Sequence, residues 1–281
     1  MGQERIIHAA LLGAGTVGSG VYKLVKDLEE EIISKTGARL VVDKILVRDT
    51  TKAREGIPSE LLIDRWDEIL NDPQIEIVIE VMGGIRPALT WLEEALRAGK
   101  QVVTANKDLL AEYGEQLFDA AEAGKCDLHF EAAVAGAIPI IRPLRQSLVA
   151  SELTEVMGIV NGTTNYILTR MTEDGMGYEE ALALATKLGY AESDPTADVE
   201  GYDVGRKVAI MASIAFNSNV TFSQVYTEGI THITAEDIRY AKEFGYVIKL
   251  IGMTRLTEGG VEVKVHPMLL PEQHPLSTVR D

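Results

Sequence analysis

Cysteine is almost missing from this 281-residue chain, and Cys126 is the only one. No disulfide can therefore form within the chain, which fits a reducing compartment, and we expect a cytoplasmic protein. The five histidines show no spacing typical of metal ligands, so a zinc site is not expected. No run approaches about 18 uninterrupted apolar residues, so no membrane-spanning helix is expected either.

Basic residues are scarce as well: 27 Lys and Arg stand against 43 Asp and Glu, for a formal net charge of −16. A field of that sign repels phosphate, which disfavours nucleic acid and anionic membranes as partners. A cofactor phosphate would have to be bound by local backbone N–H groups or by a well-placed arginine. The acidity by itself indicates little more than a soluble protein.

Strand-like and helix-like segments alternate through the first half of the chain. Repeated β-α units of this length are typical of a parallel sheet with right-handed crossovers, so the predicted fold class is α/β. After Pro139 the alternation is lost, which predicts a second, α+β domain; we expect domains 1–135 and 136–281. Strands are predicted at 6–12, 40–47, 75–81, 101–104, 127–131, 153–160, 246–255 and 261–266, and helices at 17–32, 89–96, 109–123, 163–173, 178–188, 200–216 and 234–245.

Three glycines with GxGxxG spacing, Gly13, Gly15 and Gly18, lie between the first strand and its helix. The first permits a tight turn, the second lets backbone approach a pyrophosphate, and the third lets the helix pack on the strand. Thr16 and Val17 open that helix, whose N-terminus favours an anion. A glycine-rich turn without a ligand is the alternative. In this strand–loop–helix context the motif predicts a Rossmann-type domain that binds a nicotinamide dinucleotide.

The end of the second strand bears on the choice between NAD and NADP. An acidic residue there would bind the ribose 2′-hydroxyl of NAD, but Arg48 occupies the place, followed by Asp49. A guanidinium suits a 2′-phosphate, so we expect NADP to be preferred, with NAD as the alternative. Arg48 is equally consistent with a solvated loop residue.

Two lysines are candidates for the chemistry. Lys107 follows a strand at the edge where open α/β sheets bind ligands, although it also lies near a helix start. Lys207 lies four residues after Asp203, so the two side chains share one helical face. The pair could exchange a proton with a substrate, or it could be a surface ion pair worth about 0.3–0.5 kcal/mol, which spacing alone favours.

Polar segments in the second half suggest a substrate that carries an ammonium group and a carboxylate group. Five carboxylates lie within the twelve residues 192–203 and would suit an ammonium group. The run Asn161–Asn165 ends a strand and opens a helix. Thr163 or Thr164 could be the N-cap, or the helix amides could hold a substrate carboxylate.

The sequence resembles homoserine dehydrogenase along essentially its whole length. The segments that carry the resemblance stand in family order and are GAGTVGSGVYKL, VVTANKDLLAEYG, FEAAVAGAIPII, GIVNGTTNYILTRM, LGYAESDPTADVEGYDVGRK, VIKLIG and VKVHP. Members of that family reduce aspartate 4-semialdehyde to homoserine with NAD(P)H, in the pathway to threonine and methionine.

The resemblance implies roles for individual residues. Lys207 is similar to the proton donor to the aldehyde oxygen, Asp203 orders the substrate, and Lys107 is the second active-site lysine, near cofactor and substrate. Glu192 resembles the residue that binds the substrate ammonium, with Asp198 and Thr163 as further substrate contacts. Gly189 resembles the backbone position near the nicotinamide. A sodium-like monovalent cation is implied at Glu131, Val134, Gly136 and Ile138, and a homodimer through the second domain.

One departure from the family pattern concerns the C-terminal part. The family continues beyond VKVHP with a strand, a glycine-rich segment and a helix, and we therefore expect a truncated chain. The alternatives are a cofactor-binding fragment with little turnover and another Rossmann reductase, such as aspartate-semialdehyde dehydrogenase. The latter needs a nucleophilic cysteine, for which Cys126 has no suitable neighbours.

Overall fold

Strands and helices alternate through the first part of the chain, as the sequence predicts. The computed structural model describes residues 5–280, and its first structural unit ends at Ala133. The elements of this unit are β1 Arg5–Leu12, α1 Thr16–Asp27, α2 Glu29–Thr36, β2 Ala38–Leu46, β3 Leu62–Ile63, α3 Asp67–Leu70, β4 Ile75–Glu80, α4 Ala88–Arg97, β5 Gln101–Thr104, α5 Lys107–Gly124 and β6 Leu128–His129.

The six strands of this unit form one sheet in the order β3-β2-β1-β4-β5-β6. Every neighbouring pair in it is parallel, which confirms the predicted fold class. The order reverses at β1, because β2 and β3 lie on one side of it and β4 to β6 on the other. In open α/β sheets, ligands bind at the carboxyl ends of the strands at such a reversal point.

The second unit begins at Val134 and mixes helices with a four-stranded sheet. Its sheet order is β7-β9-β10-β8, in which β10 and β8 are parallel and the other pairs antiparallel. The elements are β7 Glu155–Gly158, α6 Gly162–Asp174, α7 Tyr178–Leu188, α8 Thr196–Val199, α9 Tyr202–Ala215, β8 Tyr226–Thr227, α10 Ala235–Glu243, β9 Tyr246–Thr257 and β10 Gly260–Pro271.

Helix α9 packs directly on the long hairpin of this sheet. A Cβ at Gly252 of β9 would lie 2.4 Å from a methyl of Val208 and 2.7 Å from one of Val204. Only a glycine lets the helix come this close to the strand. The contact fixes the helix that carries Asp203 and Lys207.

Several predicted boundaries are wrong for physical reasons. The helix predicted to reach residue 32 ends at Asp27, and a second helix starts at Glu29. The strand predicted at 127–131 shrinks to Leu128–His129, because the chain turns into a 3-10 helix at Glu131. Strand β10 runs on to Pro271, past Pro267. Its partner β8 pairs only with residues 264 and 265, so beyond them β10 is an edge strand, where proline is tolerated.

Helices α4 and α5 come into close contact at Gly124. A Cβ at Gly124 would lie 1.8 Å from the carbonyl oxygen of Leu96, whereas one at Gly114 would lie 3.7 Å from the Phe118 ring. We expect Gly124→Ala to lower the free energy of unfolding by about 1–3 kcal/mol. Gly114→Ala, the matched control, should raise it by about 0.4–1 kcal/mol. Thermal unfolding measures both, and equal melting temperatures would contradict the close contact.

Candidate active site

The glycine turn after β1 has the backbone geometry that its motif predicts. Gly13 has a φ of 101°, a region that L side chains avoid, and its N–H donates to the carbonyl of Leu46 at 3.0 Å. A Cβ at Gly18 would lie 2.1 Å from the Gly13 carbonyl oxygen. Gly13 and Gly18 are therefore required by the packing of α1 on β1.

The N-terminus of α1 is open to solvent. Its N-cap is Gly15, so no side chain can cap the helix, and no acidic residue lies in the first turn. Among the described residues, nothing lies within 4 Å of where a Cβ at Gly15 would stand, and Thr16 and Val17 are exposed. The first N–H groups of the helix have no partner within it, which suits an anion such as a pyrophosphate.

The loop after β2 separates the roles of Arg48 and Asp49. The Asp49 carboxylate accepts hydrogen bonds from the hydroxyl and N–H of Thr51, at 2.6 and 2.9 Å. Together these bonds hold the pKa of Asp49 below its ordinary value, and the bond from the hydroxyl contributes most. Asp49 thus stabilises its own turn, while Arg48 is exposed.

Lys107 is the first residue of α5 and follows directly on the N-cap Asn106. The Asn106 side chain accepts from the Leu109 N–H at 3.1 Å and donates to the carbonyl of Gly84 at 2.6 Å. Lys107 itself is half-buried. The cap thus fixes the backbone of this lysine at the carboxyl end of β5, as predicted.

The Asp203–Lys207 pair is not the solvated surface pair that spacing alone favours. Asp203 is buried, and Lys207 Nζ lies 2.6 Å from its Oδ2. The same Nζ donates to the carbonyl oxygen of Val160 at 2.7 Å. An ammonium has three N–H donors, and within residues 5–280 these two oxygens are the acceptors of Lys207 Nζ.

Asn161 is the residue that the sequence interpretation missed. Its Nδ2 donates to Asp198 Oδ1 at 2.7 Å and to Asp203 Oδ2 at 2.9 Å. Its Oδ1 accepts from the N–H and the hydroxyl of Thr164, both at 2.9 Å. Asn161 is thus the N-cap of α6, and the prediction of Thr163 or Thr164 in that role is wrong. An asparagine between a strand and a helix was the available signal.

The other predicted substrate residues occupy different environments. Thr163 is buried, and its hydroxyl donates to the carbonyl of Tyr190 at 2.7 Å. Gly189 ends α7 with a φ of 82°, and Glu192 is exposed three residues later. The acidic cluster therefore does not act as one group: Asp198 and Asp203 bind Asn161, while Glu192 faces solvent.

The predicted cation residues lie around two strained alanines. Ala135 and Ala137 have φ values of 49° and 65°, unusual for residues with a Cβ. Gly136 and Ile138 are exposed, and Val134 is buried. Glu131 opens a 3-10 helix. Within residues 5–280, no three His, Cys, Asp or Glu side chains form a cluster that could hold a metal ion.

Cys126 does not have the environment of a nucleophile. Its Sγ lies 3.2 Å from the carbonyl oxygen of Leu96, and burial, followed by the charge of Asp127, raises the pKa of its thiol. A reactive cysteine needs the opposite shift, so this thiol is poorly suited to acyl chemistry.

Across residues 5–280, no helix is long and apolar enough to cross a membrane.

The parallel sheet, its reversal at β1 and the open glycine turn together define an NAD-binding fold of the dehydrogenase type. A family model described as the NAD binding domain of homoserine dehydrogenase matches residues 13–131. A second model, described as homoserine dehydrogenase, matches residues 139–281. The chain belongs to the homoserine dehydrogenase family.

Individual relatives agree with the family models. The chain is 47% identical to a homoserine dehydrogenase of Bacillus subtilis and 50% identical to one of Mycobacterium tuberculosis, each over 99% of its own length. It spans 64% of the length of both relatives.

Solved structures show the same similarity. A homoserine dehydrogenase from Thiobacillus denitrificans matches 98% of this chain with a TM-score of 0.92 and 44% identity, over 64% of its own length. A putative homoserine dehydrogenase from Archaeoglobus fulgidus matches 98% of this chain and 87% of its own, with a TM-score of 0.84 and 35% identity.

The contacts of Asn161 predict a large loss of stability on its removal. We expect Asn161→Ala to lower the free energy of unfolding by about 2–4 kcal/mol, because it removes a helix cap and the hydrogen bonds to the buried Asp203 and the half-buried Asp198. Asn161→Ser keeps a capping oxygen and should lose about 1–3 kcal/mol. Thr234→Ala, which removes an exposed cap of α10, is the control at about 1 kcal/mol. If Asn161→Ala costs no more than this control in urea denaturation, the buried contacts add nothing.

Proposed function

We propose that this chain catalyses the NAD(P)-dependent interconversion of L-homoserine and L-aspartate 4-semialdehyde, a step towards threonine and methionine. The observation that carries the proposal is the Lys207 ammonium, which is held by Asp203 and the Val160 carbonyl. Membership of the family and the resemblance of the LGYAESDPTADVEGYDVGRK segment support the same reaction.

In the reducing direction, Lys207 is proposed to donate a proton to the substrate oxygen. A bound nicotinamide cofactor supplies the hydride that converts the aldehyde carbon to an alcohol carbon. Negative charge then develops on the oxygen, and an ammonium within hydrogen-bond reach both stabilises that charge and neutralises it with a proton. Asp203 keeps Nζ in place through the 2.6 Å contact, so Lys207 does not have to reorganise during the reaction.

The amino-acid end of the substrate would be bound by the residues that the resemblance implies. We propose that Glu192 binds its ammonium, with Asp198 nearby. The backbone N–H of Thr163, in the first turn of α6, is suited to the carboxylate, because it has no partner within the helix. Lys107 is proposed as the second active-site lysine.

The cofactor is proposed to be NADP in preference to NAD. Gly13, Gly15, Thr16, Val17 and Gly18 would bind its pyrophosphate at the N-terminus of α1. Arg48 would pair with a 2′-phosphate, since Asp49 is engaged by Thr51. Gly189 would approach the nicotinamide. A hyperthermophilic archaeal homoserine dehydrogenase with a TM-score of 0.82 and 23% identity was solved in complex with NADPH.

Three further proposals rest on the resemblance. A monovalent cation would be held by main-chain carbonyls of Val134, Gly136 and Ile138 with Glu131, where the positive φ values of Ala135 and Ala137 fit a carbonyl-lined turn. It would hold the backbone and take no part in proton transfer. The chain would form a homodimer through its second unit and work in the cytoplasm, where Cys126 stays reduced.

The test of the proposed function is oxidation of L-homoserine, followed by absorbance of the reduced cofactor with NADP⁺ and with NAD⁺. Lys207→Ala should lower kcat by about 10²–10⁴-fold and change KM little, because the ammonium acts on the charge of the transition state. Lys187→Ala, an exposed lysine in the last turn of α7, is the control and should leave both constants unchanged.

An equal and modest change of kcat and KM in Lys207→Ala would contradict the proton-donor role. Cofactor binding without turnover in the 281-residue chain would favour a cofactor-binding function instead.

The role of Arg48 leads to a separate prediction. We expect Arg48→Ala to weaken NADPH binding about tenfold, or about 1.4 kcal/mol, and NADH binding little, because only NADPH carries the 2′-phosphate. Lys52→Ala removes an equal charge from an exposed position of the same loop and is the matched control. Fluorescence titration measures the dissociation constants, and equal losses for the two cofactors in Arg48→Ala would refute the 2′-phosphate contact.

A further inference from the structure

A completely buried carboxylate lies at the reversal point of the parallel sheet. Glu80 is the last residue of β4, the strand next to β1, and its exposed fraction is 0%. Its Oε1 accepts from the N–H groups of Met82 and Gly83, at 2.8 and 3.1 Å. Its Oε2 accepts from the Thr104 hydroxyl at 2.6 Å.

These contacts join the loops that follow two neighbouring strands. The Thr104 hydroxyl that donates to Glu80 also accepts from the N–H of Asn106 at 3.0 Å, and Asn106 is the N-cap from which α5 and Lys107 begin. On the other side, Met82 lies against the glycine turn, since a Cβ at Gly13 would stand 3.0 Å from its Cγ. Glu80 therefore positions both the segment beside the glycine turn and the cap before Lys107.

The charge of Glu80 requires an explanation beyond these contacts. Within residues 5–280 its three donors are neutral, and burying a carboxylate among neutral groups is costly. A glutamine could also accept the two backbone N–H groups through its oxygen and donate its amide to Thr104. The geometry of the loops thus does not by itself require an acid at this position.

A ligand at the same edge of the sheet could complement the charge. Ligands of such folds lie outside the carboxyl ends of the strands at the reversal point, which here are β1 and β4. The oxidised nicotinamide ring carries a positive charge, and the reduced ring is neutral. A fixed anion in a water-poor site interacts with that difference more strongly than it would in water.

We propose that Glu80 is a positioning residue whose buried charge makes the site favour the oxidised over the reduced nicotinamide cofactor. This inference rests on the cofactor binding of the proposed function and deepens it. Glu80 contributes in two separable ways: its hydrogen bonds shape the loops for both redox forms, and its charge acts on the oxidised form alone.

The experiment compares the dissociation constants of NADPH and NADP⁺ in three proteins: the unsubstituted chain, the Glu80→Gln variant and the Thr104→Val variant. NADPH is titrated by its fluorescence, and NADP⁺ by its displacement of NADPH. Glu80→Gln should raise the ratio of the NADP⁺ to the NADPH dissociation constant by about three- to thirtyfold, because the charge is removed while the shape is kept. Thr104→Val removes the hydrogen bond to Glu80 and the acceptor of the Asn106 N–H but keeps the charge, so it should change both constants by the same factor.

The outcomes separate the inference from the function it rests on. A ratio that stays constant in Glu80→Gln, or one that shifts as much in Thr104→Val, overturns the redox preference while leaving cofactor binding intact. Binding of neither form by the unsubstituted chain overturns the proposed function, and this inference with it. If Glu80→Gln does not fold, Glu80→Asp retains the charge and must leave the ratio unchanged; a shifted ratio there also overturns the proposal.

Discussion

In each structural unit, a buried carboxylate that is hydrogen-bonded by protein groups fixes the backbone of the candidate site. In the first unit, Glu80 binds two backbone N–H groups and the Thr104 hydroxyl. In the second, Asp203 binds the Asn161 amide and the Lys207 ammonium. Because an unsatisfied buried carboxylate is so costly, these donors have little freedom to move. The groups with which a ligand would interact therefore stand on backbone that is already fixed.

Short-range groups are also what would allow an acidic chain to bind an anionic ligand. The net charge of −16 creates a general field that repels phosphate, so cofactor binding has to rely on short-range groups. The uncapped N-terminus of α1 and the exposed Arg48 are the groups that we propose for this role. Likewise, the Lys207 side chain is held by short contacts with Asp203 and with the Val160 carbonyl, at 2.6 and 2.7 Å.

Features with a strong local signal could be predicted from the sequence. The glycine spacing, the alternation of strands and helices, and the i,i+4 relation of Asp203 and Lys207 depend only on residues close in the chain. Two-residue strands such as β3 and β8 could not be predicted, because they exist only through their pairing partners. The end of α1 at Asp27 was missed because the apolar periodicity continues through the break into α2.

In the candidate site, the sequence identified residue types and the fold decided their roles. Spacing alone predicts a surface ion pair for Asp203 and Lys207, whereas the folded chain leaves only 9% and 16% of their side chains exposed. Asn161 carried only the general signal of an asparagine between a strand and a helix, and Glu80 carried none. Asn161 meets its partners 37 and 42 residues away, and Glu80 meets Thr104 24 residues away.

The sequence by itself determined that a dinucleotide-binding turn follows the first strand, because only glycine accepts the φ of Gly13 and the contact at Gly18. It also determined, through long matching segments, the family of the chain. The tertiary structure alone decided which polar groups are buried and which donors face them. Burial depends on residues that are far apart in the chain. Once a carboxylate is buried, it has to accept hydrogen bonds from protein groups around it, because leaving it unpaired is costly.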